Sequence, residues 1–68
     1  MTTEELKQAA RMRVPVTAEG RRYDRISAVR WFLDKYGGEC LQAELTAERG
    51  GSDVVEYADP KIVEVYRG

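Results

Sequence analysis

The stretch at residues 23–45, YDRISAVRWFLDKYGGECLQAEL, decides the fold. Its second half is the more regular. Leu41, Ala43 and Leu45 fall on one face, and Gln42, Glu44 and Thr46 fall on the other, the period-2 alternation of a half-buried strand. In the first half Ile26 and Ala28 share one parity, while Val29, Trp31 and Leu33 share the opposite one. A strand keeps both sets inside only by slipping one residue near Ala28 and Val29, which is a β-bulge, and bulges bend strands between sheets. Residues 35–38 carry the Gly37-Gly38 pair and read as the turn between the two strands. Ile26, Val29, Leu33 and Tyr36 also stand at helical spacing, with Gly37 in a C-terminal capping position, so a helix over 26–36 is the rival reading. The density of Ile, Val, Trp, Phe and Tyr favours strand.

Around this ribbon the remaining segments are short. Residues 2–13 read as a helix: Thr2 and Glu5 form the S/T-x-x-E capping box, and Met1 and Leu6 stand in the positions of a hydrophobic staple. Pro15 stops that helix. Strands are expected at 14–17, 54–57 and 62–66, with turns at 18–21 and 48–53. Asp59-Pro60 signals a type I or 3₁₀ turn before the last strand. The expectation is a mainly β protein with a short N-terminal helix at 1–13, and a single small β-barrel domain at 14–68. Five strands would form an SH3-like or OB-like barrel. Its expected core is Val14, Val16, Ile26, Ala28, Val29, Trp31, Leu33, Leu41, Ala43, Leu45, Val55, Ile62, Val63 and Val65.

At 68 residues the chain has room for one domain that buries only about 60% of its unfolded surface. Net charge is −1, but residues 1–36 carry +3 and residues 37–68 carry −4. Arg11, Arg13, Arg21, Arg22, Arg25 and Arg30 dominate the first half, a distribution compatible with a basic face. The one cysteine has no partner for a disulfide, and histidine is absent. Both facts, with the lack of an apolar leader after Met1 or a stretch of about 20 apolar residues, lead to the expectation of a cytoplasmic protein without a membrane span.

With the elements in order, a resemblance emerges from Val14-Pro15-Val16, Gly20-x-x-Tyr23-x-x-Ile26-x-Ala28-Val29, Leu41-x-Ala43-Glu44-Leu45, Ser52-x-Val54 and Ala58-Asp59-Pro60. The chain resembles small uncharacterised proteins of Firmicutes associated with prophage or conjugative elements. The resemblance implies a small β-rich domain in a mobile-element setting and brings no catalytic motif with it.

Chemistry-bearing constellations are few. Cys40 has no histidine to activate it and lies beside Glu39, whose charge disfavours a thiolate. Gly37-Gly38 and Gly50-Gly51 lack the Gly-x-x-x-x-Gly-Lys pattern of a phosphate loop. No catalytic, cofactor-binding or metal-binding residue is assigned, and no enzyme activity is expected. The one group of interest is Tyr23, Arg25, Arg30, Phe32 and Tyr36, a possible binding face for a protein or peptide partner. Such a module would be monomeric or weakly dimeric. The alternative is a weak nucleic-acid-binding barrel using the arginine-rich half.

Overall fold

Thr2 opens the fold by capping a helix, α1 (Thr3–Met12). Its hydroxyl accepts from Glu5 N–H at 3.2 Å, and Glu5 Oε1 accepts from Thr2 N–H at 2.9 Å, so the capping box is complete. The backbone hydrogen bond from Thr2 holds the Glu5 carboxyl below its usual pKa. Leu6 and Ala9 form the buried stripe. At ten residues the helix is too short to persist alone, so this docking is what stabilises it. The structure, a computed structural model, describes residues 1–67.

Six strands follow: β1 (Val16–Ala18), β2 (Arg21–Tyr23), β3 (Arg25–Leu33), β4 (Glu39–Arg49), β5 (Ser52–Ala58) and β6 (Glu64–Val65). A 3₁₀ turn at Pro60–Ile62 precedes β6, with the Asp59 carboxylate accepting from Lys61 N–H. The strands form two antiparallel three-stranded sheets, ordered β2-β1-β6 and β3-β4-β5. The protein is thus mainly β with one short N-terminal helix. The expected barrel of five strands is not seen closed. At the seam, Asp24 N–H donates to Thr46 O at 2.8 Å, while the ladders themselves remain separate.

The bend and the slip fall close to where alternation demanded them. Asp24 interrupts β2 and β3, and the β3–β4 register shifts between Ile26 and Ala28. Beyond the shift, Val29, Trp31 and Leu33 oppose Ala43, Leu41 and Glu39, so residues 26–33 run as strand and not as helix. Side chains reinforce the corner. Asp24 Oδ2 accepts from Glu48 N–H at 2.7 Å, and its Oδ1 accepts from Arg22 at 2.9 Å. The Glu48 amide is the main reason its carboxyl titrates below the ordinary range. Ser27, the residue left over by the bulge, approaches Thr46 Oγ1 at 2.6 Å.

The core comprises Leu6 and Ala9 from α1, Val16 and Ala18 from β1, Tyr23, Ile26, Val63, and Ala43, Leu45 and Ala47 from β4. The sequence expectation missed the helix residues, Ala18, Tyr23 and Ala47, and placed five exposed residues inside. Trp31 is 59% exposed and Leu33 55%, while Val55, Ile62 and Val65 are also exposed. Register turns Val55 to the outer side, opposite Thr46; for Trp31 and Leu33 the physical reason is length. β5 pairs with β4 only from Ala43 onward, so residues 39–42 pair with residues 30–33 as a two-stranded arm. Parity carries Trp31 and Leu33 to the core-facing side, but no third strand accompanies them. The molecule is correspondingly elongated, 38 × 23 × 21 Å.

Tyr23 ties the two sheets together. Its ring is buried, and its hydroxyl donates to Glu56 Oε2 at 2.7 Å, while Arg21 reaches Glu56 Oε1 at 3.4 Å. Burial first, and the Glu56 carboxylate second, push the Tyr23 pKa above its ordinary value. A raised tyrosine pKa contributes stability that is complete below the unfolded value of about 10 and is lost as pH rises through the folded one. Tyr23→Phe is therefore expected to cost about 1.5 kcal/mol at neutral pH and to flatten the alkaline fall in a pH series of urea melts. An alkaline limb of unchanged steepness in the variant would show that Tyr23 does not set it.

Two hairpins turn through consecutive positive-φ residues, Glu19-Gly20 at 52° and 75° and Gly50-Gly51 at 60° and 82°. Those angles fit the twist of the flanking strands. The second site uses glycine twice, whereas the first places Glu19 in the left-handed region, at a cost of about 1–2 kcal/mol relative to the right-handed one. Glu19→Gly should thus raise stability by about 0.5–1 kcal/mol after its own entropy loss in folding. A thermal midpoint that falls would contradict this.

Candidate functional site

The arm is closed at its tip by hydrogen bonds to Asp34. Asp34 Oδ1 accepts from both Tyr36 N–H and Gly38 N–H at 2.8 Å, and Asp34 N–H donates to Gly38 O at 2.9 Å. A Cβ on Gly38 would stand 2.8 Å from Asp34 Oδ2, so a side chain there would displace the carboxylate that holds the turn. This local network holds the ribbon's register beyond the reach of the core.

Two different surfaces result. On the core-facing side, Trp31 and Leu33 extend past the buried cluster, next to half-buried Leu41 across the ladder. On the outer side lie Arg25, Ala28, Arg30 and Phe32 of β3, Cys40, Gln42 and Glu44 of β4, and Val55 and Tyr57 of β5, as the register sets them. The Arg30 guanidinium lies 5.8 Å from the centroid of Phe32 and 5.7 Å from that of Tyr57, and reaches Gln42 Oε1 at 3.4 Å.

Of the five residues anticipated as a binding face, the structure brings together Arg30 and Phe32. Tyr36 stands apart at the tip, 84% exposed, with the Lys35 ammonium 5.1 Å from its ring centroid. Arg25 lies at the other end of β3, where it lines a shallow depression with Ala10, Arg11, Arg13, Ile26 and Ser27. Tyr23 does not belong to the face: it is buried, for the reason given above. Sequence reasoning missed Tyr57, which reaches Arg30 from β5, and mistook Trp31 and Leu33 for core. The available signal was the unequal length of the strands flanking residues 39–42.

Cys40 is partly exposed, its sulfur 3.8 Å from Gly38 O and 4.0 Å from Asp34 Oδ2. No group of three His, Cys, Asp or Glu side chains converges as a metal site among the described residues. No described helix is long and apolar enough to cross a membrane. What the arrangement offers chemically is contact: an apolar step on one side of the arm, and aromatic rings with guanidinium groups on the other. No family model, curated protein or solved structure matches the chain.

Proposed function

We propose that this protein is a small non-catalytic binding module that seats an apolar segment of a protein or peptide partner on the core-facing side of the arm. The single observation that supports this reading is the exposure of Trp31 and Leu33, at 59% and 55%, on one two-stranded ribbon closed at its tip by the Asp34 hydrogen bonds. Large apolar side chains on a strand whose register is already set leave less backbone ordering to be done on binding, and tryptophan is among the residues enriched at interface hot spots. In this reading the two sheets are an open variant of the small SH3-like barrel, working as a cytoplasmic adaptor in a mobile-element setting. The module is monomeric or weakly dimeric until its partner arrives.

A photo-crosslinking amino acid at Leu33 tests the proposal in cells expressing the protein. One discrete partner should be captured, and Trp31→Ser in the same protein should abolish that capture. Capture that is unchanged by Trp31→Ser, or no adduct at all, would remove the proposal.

A further inference from the structure

A second, independent surface runs from the free edge of β3, beside the end of α1, onto the outer side of the same sheet. Arg11, Arg13 and Arg25 line one depression that has no acidic side chain in its wall. None of them, nor Arg30, forms an ion pair among the described residues, whose pairs are Lys7–Glu4, Arg21–Glu56 and Arg22–Asp24. Asp24, next to Arg25 in sequence, is turned to the Glu48 amide and to Arg22. Ser27 directs its hydroxyl to Thr46 and to Glu44 O, so guanidinium groups are the donors left facing the depression. Guanidinium forks match phosphate oxygens bidentately.

Along β3 this basic end continues into Arg30, Phe32 and Tyr57. Six register steps on β4, from Thr46 to Cys40, separate the partners of Arg25 and Phe32, roughly 20 Å at about 3.3 Å per residue. That length takes a few nucleotides. We propose that the free edge of β3 and the adjoining outer face of the β3-β4-β5 sheet bind single-stranded nucleic acid, with Arg11, Arg13 and Arg25 at the edge on phosphates and Phe32 and Tyr57 stacked on bases beside Arg30. A single strand is preferred to a duplex because the rings need base faces, which a duplex keeps stacked. Glu44 lies mid-sheet, opposite both Ala28 and Tyr57. Its carboxylate keeps the phosphate chain on the β3 side, leaving only bases over β4 and β5.

The inference does not depend on the apolar side of the arm, and one titration separates the two. A fluorescein-labelled oligothymidylate of about 15 nucleotides is titrated by anisotropy against a duplex of equal length, between about 50 and 200 mM salt. The single strand should bind more tightly, with a log–log salt slope of about −2 for three phosphate contacts. Arg25→Gln should reduce that slope by about 0.7. Tyr57→Ala or Phe32→Ala should weaken binding roughly 5–150-fold without changing the slope. Glu44→Gln should tighten it, a gain that misfolding cannot imitate. Trp31→Ser should leave it unaltered. No anisotropy change at the lowest salt overturns the proposal. So does a duplex bound as tightly as the single strand, or indifference to Tyr57→Ala and Glu44→Gln together.

Discussion

Leu45→Ala is expected to remove about 2–5 kcal/mol of stability, the largest loss from any truncation in this chain. Leu45 is fully buried at the centre of β4, opposite Ile26 on one side and Glu56 on the other. The methyl groups lost there leave a hole in the buried cluster, on the side of Ala18 and Tyr23, that the backbone cannot close, because β4 is held by ladders on both edges. A domain of 68 residues has roughly 3–10 kcal/mol in total, so the variant should lose a large fraction of its stability and melt at a markedly lower urea concentration. Urea melts followed by circular dichroism measure this directly. A loss below about 1 kcal/mol would mean that the cluster around Leu45 collapses onto the gap, and that the core is looser than its burial implies.

Residue by residue, the sequence was legible where a local rule sufficed. The Thr2–Glu5 capping box lies where the pattern put it, and the Asp59-Pro60 pair opens a 3₁₀ turn. The switch in parity read near Ala28 and Val29 reported a real slip in register, which falls earlier, between Ile26 and Ala28, and so turns Ala28 to the outer side opposite Glu44 instead of into the core. These features depend on a handful of neighbouring residues. Burial in β3 was not legible, because alternation tells which residues share a face but not whether anything covers that face. Trp31 and Ile26 are equally apolar in pattern, yet Ile26 lies under α1 and Trp31 lies where β5 has already ended. Tyr23 failed in the opposite sense. Its partner Glu56 is 33 positions away, and only the packing of the two sheets makes a buried tyrosine acceptable. The basic depression is a compromise between the two kinds of information. Arg11, Arg13 and Arg25 were visible as an arginine-rich half, while their convergence required α1 to end beside the first residues of β3.

The counterpart to Leu45 is the double variant Trp31→Ser, Leu33→Ser, which should leave folding almost untouched and remove partner binding. Both residues exceed half exposure, so their truncation returns little buried area to water. Surface changes of this kind stay within about 0.5 kcal/mol, and relief of exposed apolar area should raise solubility at the same time. The two serines keep strand-compatible geometry, and the Asp34 network at the tip involves neither side chain. On the binding side the expected loss is at least about 2 kcal/mol, or roughly 30-fold, as for an aromatic hot spot stripped from its pocket. Because Trp31 is the chain's one tryptophan, the native protein supplies its own check before any partner is known. Its fluorescence should resemble that of a solvated indole, be quenched readily by acrylamide, and shift little on unfolding. Addition of the captured partner should move the emission to shorter wavelength and protect it from quenching. A native emission already blue-shifted and protected in the isolated protein would place Trp31 in a closed interior. The arm could not then be the docking surface. A stability loss in the double variant comparable to that of Leu45→Ala would lead to the same conclusion by an independent measurement, since side chains that hold the fold together are not free to hold a partner.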